Sequence, residues 1–340
     1  MPVNTKEKVK KENKKKNAKQ IIEENRKKIV EKLISNMEKG YIFSEWAWNK
    51  QAFIPRNAVT GTKYQGINRL NLSFASMENG YEDPRWLTFK KIQEMGYKLK
   101  EGSTGVFCEK WIWQKVQKVV NQETGEVEKD ENGKEKYEIV ELKRPIINYF
   151  YLYNASQIEG IEPYISNEKI EKSDITNVAD SFMVSSECPI KEKFQDRAFY
   201  SPMEDSITLP PRRFFKSDEA FLGTLLHEMS HSTGHESRLN RDIKNKFGTE
   251  KYAMEELTAE LSCVFLEAEL DMNLDFTRQE HINYFSSWIK ALKNDPNELY
   301  KVCSNASKSC NRLMENYEKV IAFENKQEKN KDEEEMEEAI

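Results

Sequence analysis

From Gln20 to Lys39 the apolar residues Ile22, Ile29, Leu33 and Met37 share one helical face, and Gly40 follows as a stop, which predicts a first helix. Pro84 to Gly96 reads as a second helix with proline near its start. Val106–Val120 and Tyr137–Tyr153 predict strands, joined by a charged hairpin excursion that turns at Glu123-Thr124-Gly125 and Glu131-Asn132-Gly133. Further turns fall at Asn57–Gly61 and Glu78–Gly80. Residues 160–190 are polar and weakly patterned, and predict a linker. Beyond them, Ala198–Tyr200 and Ser206–Leu209 predict a short hairpin. Helical periodicity then resumes. Phe221, Leu222, Leu225, Leu226 and Met229 form a stripe between a Ser217-Asp218-Glu219 start and a Gly234 stop, and further helices follow at Tyr252–Leu270, His281–Lys293 and Glu298–Phe323.

The chain has 340 residues, 38% hydrophobic and 33% charged, a polar composition that still fills a core and suggests about two domains. No apolar run approaches the roughly 18 residues of a membrane span. The N-terminus lacks the apolar segment of a secretory signal. The five cysteines are scattered without a C-x-x-C pair, as in a reducing compartment. These features predict a cytoplasmic protein with no membrane partner. Residues 1–118 carry a net charge of about +12 and the remainder about −17, so the overall −5 hides a basic first part suited to a polyanion. Residues 1–19 read as a disordered basic arm and 324–340 as a disordered acidic tail.

Between Trp46 and Gln114 aromatic and basic residues interleave. Trp46, Trp48, Phe53, Tyr64, Trp86, Phe89, Trp111 and Trp113 alternate with Lys50, Arg56, Lys63, Arg69, Arg85 and Lys90. Single-stranded nucleic acid is held by this combination, with bases stacked on aromatic faces and cations along the phosphates. Most aromatics in a folded domain are core, so composition alone supports this reading weakly. The candidate contacts are Arg56, Lys63, Tyr64, Arg69, Arg85, Trp86, Phe89 and Lys90. The predicted fold is α+β in two domains: an N-terminal α/β nucleic-acid-binding domain over 20–160 and a mostly helical domain with a small sheet over 191–323, joined by a linker at 161–190.

The second domain carries His227-Glu228-Met229-Ser230-His231, an H-E-x-x-H pattern. On a helix the two imidazoles at i and i+4 project from one face toward one point, and two imidazoles suit Zn²⁺. Glu228 is then placed as general base toward a water that zinc acidifies to a pKa of about 7. A catalytic zinc needs a third protein ligand. A metzincin would supply a further histidine at position 237, where this chain has Ser237. Glu256 and Glu260, an E-x-x-x-E on the Tyr252–Leu270 helix, are the better source, with Glu256 as ligand and Glu260 fixing a ligand histidine. Glu255 is expected to stand outside. The arrangement resembles the gluzincins, whose second helix carries E-x-x-x-D, so Glu256 and Glu260 can exchange roles.

Both halves resemble one family. Pro55-Arg56-Asn57, Thr60–Asn68 and Asp83–Phe89, with Tyr151–Asn154, Gln157 and Glu159-Gly160, are similar to the N-terminal domain of ArdC-type antirestriction proteins. Phe199–Pro202, Leu209-Pro210-Pro211, the His227–His235 run, Glu255-Glu256-Leu257, Ala259-Glu260-Leu261 and Ser287-Trp288 are similar to that family's zincin-like domain. The resemblance implies a single-stranded-DNA-binding domain fused to a zinc metallopeptidase-like domain, carried on mobile elements and protecting incoming DNA from host restriction. A host restriction protein or another DNA-bound protein is the expected peptidase substrate. The alternative is a protein that only masks single-stranded DNA and keeps zinc for structure. An intact Glu228 argues against that alternative, since a structural site has no need of it.

Overall fold

The structure is a computed structural model that describes residues 16–39, 54–165, 174–246, 248–272 and 279–338. The Lys-rich stretch before residue 16, Gly40, Trp46, Trp48, Lys50 and Phe53 lie outside the described residues. In chain order the elements are α1 (Ala18–Glu38), β1 (Arg56–Asn57), α2 (Gly66–Asn79), β2 (Arg85–Thr88), α3 (Phe89–Glu94), β3 (Lys98–Leu99), β4 (Val106–Lys118), β5 (Tyr137–Asn154) and β6 (Ile158–Glu159). There follow α4 (Ile175–Val184), β7 (Ile190–Glu192), β8 (Phe199–Ser201), β9 (Ser206–Leu209), α5 (Asp218–Ser232), α6 (Glu250–Leu270), α7 (Gln279–Asn294) and α8 (Glu298–Glu338). The fold is α+β, with both families of element in each half of the chain. Among the described residues no helix is long and apolar enough to cross a membrane.

Contacts divide the chain into two compact units, one of residues up to Lys28 with Glu109–Tyr149, the other of Ile29–Cys108 with Phe150 onward. In the first, the polar pairs Gln117–Glu138 at 2.9 Å and Lys118–Glu135 at 2.7 Å lie at the end of β4 and at or just before the start of β5. The excursion beyond them turns on side chains. Asn121 and Asp130 accept backbone N–H bonds from residues just ahead, the local geometry that favours Asx at turns. Arg26 forks onto the buried Glu109 at 2.9 and 2.7 Å, and Glu109 also accepts the Trp111 indole N–H at 3.0 Å.

In the second unit the sheet order is β1-β2-β5-β4, with β1 parallel and β5 antiparallel to β2. Leu72 and Ala75 of α2 pack on Trp86, Cys108 and Leu152. Three strands in the order β7-β9-β8 form a separate small sheet. The α6 helix is the centre of the C-terminal half, packed by α5, α7 and α8, which buries it on almost every side.

Three stretches differ from their sequence patterns. Pro84–Gly96 is not one helix: Trp86 and Leu87 are buried in β2 against β5, and Thr88 then caps α3 by accepting the Lys91 N–H. Residues 175–184, inside the predicted linker, form α4. Val178, Ala179 and Phe182 are buried, and Phe182 stacks on Tyr317 at 4.4 Å. A ten-residue helix has too few turns to show its period among polar neighbours. The acidic tail continues α8 to Glu338, because lysine, glutamate and glutamine are strong helix formers.

Candidate metal centre

Ser217 caps α5 by accepting the Ala220 N–H at 3.2 Å, and Asp218 and Glu219 complement the positive end of the helix. The helix carries His227 and His231 one turn apart. Thr249 caps α6 in the same way, and α6 brings three glutamates to the two imidazoles. The Nε2 atoms of His227 and His231 are 3.2 Å apart. Glu256 reaches both, with one carboxylate oxygen 3.6 Å from His227 Nε2 and the other 3.7 Å from His231 Nε2. One ligand atom from each of these three residues lies within 4.8 Å of the others.

The far side of each ring is held by a second carboxylate. His227 Nδ1 lies 2.9 Å from Glu260, and His231 Nδ1 lies 3.1 Å from Glu255. A carboxylate at Nδ1 accepts a hydrogen bond from Nδ1–H and leaves the Nε2 lone pair facing Glu256. The orientation therefore favours Glu256 as ligand and Glu260 as the group behind His227. Glu255, expected to stand outside, is a partner of His231. Adjacent helix positions point about 100° apart, so nothing in the spacing announced it.

Two imidazoles and a carboxylate converging on one point fit a borderline divalent ion, and an Nε2 separation of 3.2 Å is what two ligands at about 2.0–2.1 Å from a tetrahedral ion span. Burial pushes the imidazolium pKa of His227 down, but the charge of Glu260 and bonds to Cys263, Glu256 and Glu260 outweigh this and hold it well above the usual histidine range. His231 is raised likewise, burial being overcome by Glu256 and Glu255. Burial favours neutral Glu256, but the imidazoles and Tyr252 bring its pKa to about 2. The carboxylate stays ionised, as a ligand must.

Glu228 is buried beside His227, and one of its oxygens accepts the Tyr200 backbone N–H at 2.9 Å. Tyr200 sits on β8, an edge strand of its sheet. The centre opens on a cleft of about 390 Å³ lined also by Phe199, Met203, Ile243, Lys244 and Tyr252.

The candidate DNA contacts divide. Trp86 and Arg69 are 0% and 1% exposed, so neither faces a strand; both are core, which corrects their assignment. Tyr64 is half-buried against the Trp86 cluster, and burial pushes its hydroxyl up to about 12. Arg56 is half-buried with its Nε inside, Lys63 pairs with Glu269 at 2.6 Å, and Arg85 forks onto Asp83 at 2.7 Å. Phe89 and Lys90 are exposed. So are Trp111 and Trp113, two residues apart on one face of β4 with ring centres 6.5 Å apart. Their alternation with Lys110, Ile112 and Gln114 was the available signal.

Residues 23–153 match the model of the N-terminal domain of anti-restriction factor ArdC, and residues 177–305 match the zincin-like metallopeptidase domain. Two DNA primases TraC of Escherichia coli are 35% and 34% identical over 302 residues, 88% of this chain. The chain spans only 27% and 20% of their lengths. An uncharacterized protein of Sinorhizobium fredii is 25% identical, with 82% of this chain and 88% of that protein covered. Among solved structures, the antirestriction ArdC protein of plasmid R388 matches with a TM-score of 0.66 and 28% identity, in its metal-free and Mn(II)-bound forms. The match covers 86% of this chain and 98% and 97% of those two chains. Two domain matches in this order, a solved relative aligned along nearly its full length, and a His-His-Glu centre in the second domain lead to one assignment: the chain belongs to the ArdC-type antirestriction family.

Proposed function

We propose that this protein protects DNA entering a cell from restriction by binding it as a single strand and by cleaving a DNA-bound host protein at a zinc centre. The observation that carries the peptidase reading is the buried Glu228 beside two histidines whose Nδ1 atoms are each fixed by a carboxylate. His227, His231 and Glu256 hold the ion. The R388 relative holds Mn(II), and the two-imidazole set of this chain ranks zinc above manganese. A bound zinc supplies a Lewis acid that acidifies water and polarises a carbonyl oxygen. Glu228, steadied by the Tyr200 N–H, takes the proton of the attacking water and returns it to the leaving amine. Phe199, Met203 and Ile243 wall the cleft for apolar side chains flanking the scissile bond.

The test is Glu228→Gln. Metal content and affinity for single-stranded DNA should equal those of the parent protein, while protection against restriction is lost. Protection that survives Glu228→Gln would instead assign the protein to masking.

On the DNA side, Phe89, Lys90, Trp111 and Trp113 are the exposed stacking and phosphate groups. Trp113→Ala should cost about 1–3 kcal/mol of single-strand affinity. Binding should weaken with salt at a log–log slope of about −0.7 for each phosphate contacted, and duplex should bind less well. Fluorescence anisotropy against both forms reads this. Equal affinity for duplex and single strand, or a silent Trp113→Ala, rules out stacking at Trp113.

A further inference from the structure

Arg241 touches neither imidazole, yet its side chain is 4% exposed and fully engaged. After α5 the chain folds back over the helix end: Leu239 N–H donates to Thr233, Asn240 N–H to His235 and Arg241 N–H to Gly234. Asn240 takes a left-handed φ of 48° in this turn. Gly234 makes the return possible, since a Cβ there would stand 2.6 Å from Ile243 Cγ2 and 3.0 Å from Arg241 Nη2. The guanidinium is gripped from two sides. Nη1 donates to Thr233 Oγ1 at 2.7 Å and Nη2 to the Ser230 carbonyl at 2.9 Å, both at the end of α5. Nε and Nη2 fork onto Glu255 of α6 at 3.0 and 2.6 Å. The Glu255 oxygen that accepts from Nη2 is the one that meets His231 Nδ1 at 3.1 Å.

We infer that Arg241 is a positioning residue for the metal centre, fixing Glu255 so that Glu255 fixes the His231 ring with Nε2 toward the ion. A carboxylate on a free side chain turns about its last torsion and presents its oxygens in many directions. The fork leaves it one. The same backbone continues into Ile243, Lys244 and Asn245, which wall the cleft, so ligand orientation and the cleft wall share one anchor. Lysine cannot reproduce the fork together with the two bonds to α5, because an ammonium is a point charge with no planar geometry. The inference rests on the metal reading above and adds a member that neither H-E-x-x-H nor the downstream glutamates contain.

The experiment measures zinc affinity by chelator competition and the visible spectrum of the Co(II)-substituted full chain. Arg241→Met and Glu255→Gln should each weaken zinc about 10–100-fold, the range for groups behind metal-bound histidines. The double variant should lose no more than the worse single one, because the two act in series. Arg241→Lys, which keeps the charge and serves if Arg241→Met does not fold, should still weaken zinc and shift the Co(II) bands. Zinc affinity and Co(II) bands unchanged in the Arg241 variants, or losses that multiply in the double variant, overturn the positioning role while leaving the metal centre in place. A parent protein that binds neither zinc nor cobalt overturns both.

Discussion

Protein carrying His227→Ala and His231→Ala together is expected to purify without stoichiometric metal and to take up none when zinc is added back. In the proposed centre each imidazole supplies one of three protein ligands, and Glu256 alone would not retain an ion that the mutated positions have released to water. Glu256→Gln should fall between the double variant and the groups behind the rings, because an amide oxygen is a poorer ligand than a carboxylate. Glu260→Gln should weaken the centre less, by about 10–100-fold, since it removes only the acceptor at His227 Nδ1. Acid should act in the same direction. Ligand histidines bind as neutral rings, and the carboxylates around them hold His227 well above, and His231 above, the ordinary histidine value. Protons therefore compete with the metal more strongly than they do for an ordinary histidine pair, and zinc affinity should rise from pH 6 to pH 8 with net proton release on binding. Metal analysis of the purified variants, with calorimetry in buffers of different ionisation heat, gives both readings. Zinc retained at one per chain by the double variant would refute the assignment.

The metal centre was readable to the extent that it depends on helix geometry. The i, i+4 spacing of His227 and His231 and the cap at Ser217 are local facts, and the structure keeps them. The choice between Glu256 and Glu260 required the rotation of α6 about its axis, which only packing against α5, α7 and α8 sets. Glu255 and Arg241 were invisible for the same reason: their partners lie across the gap between helices, and a salt bridge formed by chain reversal leaves no period. Two of the contacts assigned in the N-terminal half fail in a different way. Trp86 and Arg69 have the right chemistry for nucleic acid, but chemistry does not say which face of β2 or α2 is buried. Trp113 has the same chemistry and is exposed.

The buried position of Arg69 also means that the halves of the sequence do not separate as the sequence pattern divides them. On α2, Arg69 lies 3.1 Å from Glu269 at the end of α6, donates to the Phe265 carbonyl at 3.2 Å and covers the Phe265 ring at 4.3 Å. Arg69→Met is expected to cost about 3–5 kcal/mol of unfolding free energy, because it leaves a largely buried carboxylate with a weaker set of partners. That is a large share of the roughly 5–15 kcal/mol that holds a domain together. Lys63 also pairs with Glu269, but its side chain is 46% exposed, so Lys63→Ala should cost no more than about 1 kcal/mol. A fragment of residues 175–323 lacks both cations and exposes the face that α2 covers. It should unfold at far lower urea than the full chain, or aggregate on expression. Urea melts followed by tryptophan fluorescence compare the four proteins directly. If Arg69→Met lies within about 1 kcal/mol of the parent, or the fragment melts with the full chain, α2 is a bystander to the C-terminal half. If both are strongly destabilised, helix α6 depends on the N-terminal half for its fold, and a zincin-like domain cut free of that half is not a fair test of what the intact protein does.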